Sequence, residues 1–204
     1  MESFPLILGV TGSIGCGKST VLELFRAAGW RTADADSLCR RMYDDPEGAL
    51  AVQCRREWGE AFFTSGHFDR AKIAALVFRD AAALRKLTGF IYPVLESELG
   101  SFIAEARSAG CCAAVEVPLL YESGMERLFD AVLTVWAPEE LRHRRLREFR
   151  NFDEADIRRR ETLQLDADVK LERADYSLVN SGDSELLKRQ FEIFLKHITQ
   201  GKGI

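Results

Sequence analysis

Hydrophobic periodicity divides the chain into alternating strand and helix signals. Leu6–Thr11, LILGVT, is a short, mostly apolar run without polar alternation, the pattern of a strand buried on both faces of a parallel sheet. Glycines follow it, and then Val21, Leu22, Phe25 and Ala28 recur at helical spacing until Gly29 stops the helix. A second strand, about Arg31 to Ala33, delivers Asp34 and Asp36 at its carboxyl end. Further strand signals fall at Cys112–Val117, Ala131–Trp136 and Tyr176–Val179. Between the last two, one helix starts near Pro138 and another is capped by Asp153. The closing helix carries Leu186, Leu187, Phe191, Phe194 and Leu195 on one apolar face. Residues 37–110 read as largely helical, and that tract far exceeds the dozen or so residues a plain crossover needs. Five strands alternating with helices predict a doubly wound α/β fold: a five-stranded parallel sheet with ligands at the strands' carboxyl ends. The excess at 37–110 predicts an inserted helical lobe.

Composition limits what such a fold can do. With 204 residues, 47 % hydrophobic and 29 % charged, the chain suits a soluble globular protein with a sizeable core. Its 28 Lys and Arg against 32 Asp and Glu give a net charge of -4 and a pI near 5.5, which argues against nucleic acid as a partner. Any basic site must be local. No apolar segment approaches the roughly 18 residues that span a bilayer, and the opening Met1-Glu2 lacks the basic start of a leader. A cytoplasmic location follows as an expectation, with no membrane association and no obligate protein partner. The five cysteines are odd in number, and Cys111 and Cys112 are adjacent, so they read mostly as small apolar residues. Cys16 is distinct, because a thiol beside a helix N-terminus can become more acidic.

The chemistry starts in the first loop. Gly12-Ser13-Ile14-Gly15-Cys16-Gly17-Lys18-Ser19 matches G-x-x-x-x-G-K-[ST], with a strand before it and a helix after. Glycines let backbone N–H groups turn inward around phosphate oxygens, and the helix N-terminus adds partial positive charge. Residues Gly12 through Thr20 are therefore the expected nucleotide-phosphate site. Lys18 reaches the β- and γ-phosphates, and the Ser19 hydroxyl is the expected Mg²⁺ ligand, so ATP and Mg²⁺ are the implied co-substrate and metal.

Asp34 and Asp36 come next. Residues two apart in extended chain point the same way, so the two carboxylates would share one side of the strand end. A carboxylate near an acceptor hydroxyl aims its oxygen and takes its proton during phosphoryl transfer. The alternative is that these aspartates cap the helix starting near Ser37. Downstream lie Arg142, Arg144, Arg145, Arg147 and Arg150, then Arg158, Arg159 and Arg160. Arg144 and Arg147 share one helical face, and Arg142 and Arg145 another. They read either as a lid over a transferring phosphoryl group or as a solvated face paired with Glu139, Glu140, Glu148 and Glu154. Asp45-Pro46-Glu47-Gly48 reads as a turn. His67, His143 and His197 show neither ligand spacing nor a nucleophile partner. Phe62, Phe63, Phe68 and Phe78 suit either an apolar groove or a core.

Nearly end to end, the chain resembles the dephospho-CoA kinase family, P-loop kinases of coenzyme A synthesis. The likeness rests on TGSIGCGKST; on DADSLCRR, whose Asp34, Asp36 and Arg40 match Asp-x-Asp-x-x-x-Arg; on SGHFDRAKIAALVF from Ser65; and on VPLLYES from Val117. It implies a P-loop kinase core at 1–36, 111–141 and 174–204, a helical coenzyme-binding lobe at 37–110 and an arginine-rich lid at 142–173. It implies dephospho-CoA as acceptor, Asp36 as catalytic base with Lys18 and Arg144 assisting, and Asp34, Asp36 and Arg40 as substrate contacts. Tyr92-Pro93 stands where the family usually has His-Pro, and Glu148 falls where a second lid arginine is usual. A nucleoside monophosphate kinase would share the loop, lobe and lid. A non-catalytic nucleotide-responsive module would want N-K-x-D, or D-x-x-G at a strand end, and the sequence has neither.

Overall fold

The computed structural model describes residues 5–200. Met1–Phe4, which carry part of the argument against a leader, lie outside the described residues, as do residues 201–204. Two compact units divide the chain: residues 34–102 form the smaller, and the described parts of 1–33 and 103–204 form the larger.

In chain order, β1 (Ile7–Thr11) leads into α1 (Lys18–Ala27) and β2 (Arg31–Asp34). Then come α2 (Ala35–Asp44), α3 (Ala49–Trp58), the short strands β3 (Phe63–Thr64) and β4 (His67–Phe68), α4 (Arg70–Val77) and the long α5 (Ala81–Ser108). The remainder is β5 (Ala113–Glu116), β6 (Ala131–Trp136), α6 (Glu139–Arg150), α7 (Glu154–Glu161), α8 (Ala167–Arg173), β7 (Tyr176–Val179) and α9 (Ser184–Gln200).

The main sheet has five strands in the order β2-β5-β1-β6-β7. β1 pairs in parallel with β5 and β6, and β6 with β7, as the apolar runs predict. All five residues of β1 are buried, because helices cover both faces of such a sheet. Being central, β1 presents its carboxyl end between β5 and β6, where doubly wound sheets bind ligands. The helix after the loop docks through Val21, Leu22 and Phe25, and the Phe25 ring lies 4.9 Å from both Trp30 and Phe191. That triad ties α1 to α9, whose Leu187, Phe191 and Phe194 are buried in the same core.

Two pieces of the fold differ from the sequence reading. The smaller unit contains a β-hairpin, with Phe63 paired to Phe68 and Thr64 to His67. Its turn, Ser65-Gly66, has φ 52° and 80°, the two left-handed residues that a tight two-residue hairpin loop requires. Two-residue strands are too short to show alternation. The other piece is α8, which Asp166 starts by accepting from the Asp168 N–H at 2.8 Å. Phe63 and Phe68 pack in the smaller unit's core with Leu50, Cys54, Ile73 and Leu87; Phe62 packs against it, and Phe78 is exposed. Asp45–Gly48 is the expected turn: the Asp45 carboxylate accepts from the Glu47 N–H at 3.1 Å. All five cysteines are free thiols.

Candidate active site

The loop after β1 is built by its glycines. Gly12 has φ 142°, and a Cβ there would stand 2.3 Å from the Val135 carbonyl oxygen. Gly17 has φ 98°, and a Cβ there would stand 2.3 Å from Asn180 Nδ2. Neither position admits another residue without moving backbone or its neighbour. Gly17 starts α1 without a side-chain cap, so the first helical N–H groups are left for a ligand.

What the loop binds follows from where its carbonyls go. Lys18 is buried, and its ammonium folds back to donate to the Gly12 and Ser13 carbonyl oxygens at 3.0 and 3.2 Å. Asn180, just past β7, donates through Nδ2 to the Cys16 carbonyl at 2.8 Å. Arg142 Nη1 donates to the Ile14 carbonyl at 3.2 Å. Together these donors fix the carbonyls of Gly12, Ser13, Ile14 and Cys16 by hydrogen bonds, and a cradle for an anion needs its carbonyls so held. Ser19 and Thr20 are exposed at the first turn of α1. Cys16 is fully buried in the core, which closes the reactive-thiol reading by lack of access.

The arginine-rich segment divides by helix face. Arg142 is 6 % exposed, its Nη1 also 2.6 Å from Glu161 Oε1, whereas Arg144 is exposed. Arg145 is half-buried: Nη2 donates to Asn180 Oδ1 at 3.2 Å, and the buried Nη1 has no hydrogen-bond partner among the described residues. Burial holds the Arg145 guanidinium below its usual range. The solvated-face reading holds for Arg147 and Arg158, which pair with Glu154, and Arg158 also with Glu139. His143 is buried with Nε2 at 3.1 Å from both Glu161 oxygens, so the histidine expected without ligand company has carboxylate neighbours. Glu139, His143 and Glu161 place their ligand atoms within 4.8 Å of one another, but Arg142 and Arg158 already pair with those carboxylates.

In the smaller unit Asp34, Asp36 and Arg40 come together. The extended-chain argument for Asp34 and Asp36 is corrected, because α2 starts at Ala35 and Asp36 lies in its first turn. Asp34 is the cap, its carboxylate accepting from the Asp36 N–H at 3.0 Å and from Ser37 Oγ at 2.6 Å. Arg40 lies 3.8 Å from Asp34 and donates to the Asp36 carbonyl at 3.3 Å. The Asp36 carboxylate is exposed and is not the cap.

A family model described as dephospho-CoA kinase matches residues 6–185. The chain belongs to the dephospho-CoA kinase family. A Deinococcus radiodurans dephospho-CoA kinase is 39 % identical over 198 residues, covering 95 % of this chain and 93 % of that one. A solved Thermus thermophilus structure, TT1252, aligns with a TM-score of 0.81 at 32 % identity, covering 98 % of this chain and 100 % of that chain. The dephospho-CoA kinase of Campylobacter jejuni, at 24 % identity and a TM-score of 0.73 over 97 % of this chain and 98 % of its own, shares the fold.

Membership in the dephospho-CoA kinase family makes the chain a kinase, and several residues of the candidate site carry no motif signal. Asn180, Gln164 and Lys170 are the main ones. Lys170 is fully buried, donating to the Pro118 carbonyl at 2.7 Å and paired with Glu122 at 2.9 Å. Burial lowers its pKa against the opposing pull of Glu122. Glu122 Oε1 also accepts from the Leu165 N–H at 2.7 Å, so this pair joins the VPLLYES stretch to the approach to α8. The one available signal was position: Asn180 directly follows a strand at the end where such sheets bind ligands. Among the described residues no helix is long and apolar enough to cross a membrane.

Proposed function

We propose that this chain transfers the γ-phosphoryl group of ATP to the 3′-hydroxyl of dephospho-CoA, giving CoA and ADP. The observation that carries the reading is the loop at Gly12–Thr20, its carbonyls held by Lys18, Arg142 and Asn180, in a chain of the dephospho-CoA kinase family. Backbone N–H groups of the loop hold the phosphates, and Lys18 exchanges its carbonyl partners for phosphate oxygens when ATP binds. The Ser19 hydroxyl is an exposed oxygen donor of the hard type that Mg²⁺ accepts. Bound there with the nucleotide, Mg²⁺ supplies charge neutralisation on the phosphates.

The acceptor side is assigned to the smaller unit. Asp36 orients the acceptor hydroxyl and takes its proton as the new P–O bond forms and the bond from the γ-phosphorus to ADP breaks. Asp34 and Arg40 contact the substrate, and the lobe at 37–110 carries the coenzyme. Within the segment 142–173, read as the lid, Arg144 is the arginine implied by motif spacing. We assign the phosphate-facing role instead to Arg145, because its buried Nη1 stands beside the loop's Asn180 latch without a partner, whereas Arg144 is exposed. The chain's place is the cytoplasm, where free thiols persist.

The test is to incubate the chain with ATP and Mg²⁺ and a panel of dephospho-CoA, nucleoside monophosphates and shikimate, following ADP. Turnover with dephospho-CoA alone is expected, and turnover only with another acceptor overturns the substrate. Asp36→Asn keeps ATP binding and loses turnover on the order of 10²-fold. Near-normal turnover of that variant removes Asp36 from the chemistry.

A further inference from the structure

The lid segment reaches the phosphate loop at a place that motif and family spacing leave unassigned. The peptide groups of Ile14 are held from both ends. Its N–H donates to Gln164 Oε1 at 2.9 Å, and its carbonyl accepts from Arg142 Nη1 at 3.2 Å. Beside Ser13 and Arg142 lies a cavity of about 290 Å³ that Glu161 and Gln164 also line. Arg142 is itself fixed by charge, since the same Nη1 lies 2.6 Å from Glu161 Oε1, and His143 Nε2 sits 3.1 Å from that carboxylate.

We propose that Arg142 is a positioning residue for ATP binding, pinning the Ile14 carbonyl outward so that the loop's later N–H groups converge on phosphate. The proposal rests on the reading that this loop binds ATP. Three kinds of donor now hold the loop's carbonyls: Lys18 on Gly12 and Ser13, Asn180 on Cys16, and Arg142 on Ile14. When Lys18 turns to phosphate, it releases its two carbonyls. Arg142 and Asn180 are then the two side chains that hold the loop's carbonyls, beside the Cys16 N–H that stays on the Ser13 carbonyl at 3.3 Å. A carbonyl swung inward would set its negative end against the phosphate, and a charge-assisted donor is the strongest way to prevent that. Glu161 acts through Arg142 by holding its fork in place. Gly15 makes room for this arrangement, since a Cβ there would meet the Arg142 carbonyl oxygen at 2.9 Å.

Equilibrium binding of Mg-ATP without acceptor, steady-state kinetics and thermal melting test the idea together on the full chain. Arg142→Met is expected to weaken ATP binding and raise the ATP KM about tenfold, with the dephospho-CoA KM changed less than about twofold. Arg142→Lys keeps the charge on a shorter side chain without the planar guanidinium, and recovers part of the loss. It also serves if the methionine variant fails to fold. Glu161→Gln weakens ATP binding less, and the double variant is no worse than Arg142→Met alone, because one residue acts through the other. An unchanged ATP KM with a lowered Tm overturns the proposal and leaves Arg142 structural. A wild-type chain that binds ATP but phosphorylates no dephospho-CoA overturns the acceptor and leaves the Arg142 comparison intact; one that binds no ATP overturns both.

Discussion

The phosphate loop and the arginine-rich segment both gather donors around an anion site, but they are fixed by different means. In the loop the backbone does the building: Gly12 and Gly17 hold conformations and approaches that a side chain forbids, with 2.3 Å available for a Cβ at each. In α6 and α7 side chains do it, and which arginine serves depends on the rotation of a helix. Arg142 is 6 % exposed and Phe149 is 76 % exposed, the reverse of what hydropathy orders. Leu146 sets the phase by burying itself against the loop, near Gly15, and the arginines four positions before and one before it are carried inward. A site made of backbone is therefore written in residue types, and a site made of long side chains is written in packing.

The sharpest break of this comparison is Lys18→Met. Lys18 sits in the backbone-built loop yet works through its side chain, and its buried ammonium is pre-positioned on two carbonyls. Removing it is expected to lower kcat/KM on the order of 10³-fold, the cost of one lost charge donor at a developing anion. Rapid-quench turnover with ATP and dephospho-CoA measures it. A loss under about tenfold means that the backbone N–H groups carry the phosphate without the lysine, and the division between the two regions becomes absolute.

Next in size is the pair Arg145→Met and Arg144→Met, which sets helix phase against motif spacing. Arg145 touches Asn180 and keeps a buried nitrogen without a partner, so its loss is expected to lower kcat/KM about tenfold or more. Arg144 is exposed, and its loss is expected to stay within about twofold. The reverse order restores the motif assignment.

How much of this was legible follows the same division. The parallel strands and the loop were readable because apolar runs and glycines state their own requirements, and Tyr176–Val179 appears as expected. Asp34 and Asp36 were legible as a pair, but their geometry was not. An i, i+2 argument holds only while the chain stays extended, and β2 ends at the Asp34 cap, two residues before Asp36. The hairpin at Phe63–Phe68 hid because its strands are two residues long, although Ser65-Gly66 marks its turn. Gln164, Asn180 and Lys170 hid for a deeper reason. Each is one polar residue whose partner lies far along the chain, 150 positions away for Gln164 and Ile14, and no local pattern reports it.

The smallest effect tests whether the side-chain-built region is held by charge at all. Burial alone would raise the Glu161 pKa, but hydrogen bonds from Arg142 and His143 outweigh it and hold the carboxyl below its usual value of 4.5. A carboxyl depressed in the folded state adds stability that is complete above the unfolded value and is lost as pH falls through the folded one. Between pH 6 and 8 the wild-type chain is therefore expected to exceed Glu161→Gln in urea midpoint, with about the same m-value. Below the usual carboxyl value of 4.5 the gap is expected to narrow as Glu161 takes up its proton. The slope of the difference isolates this group from every carboxyl the two chains share. A gap that stays constant down to acid pH assigns Glu161 to shape alone, and the arginine-rich segment would then be fixed by packing, as the loop is fixed by backbone.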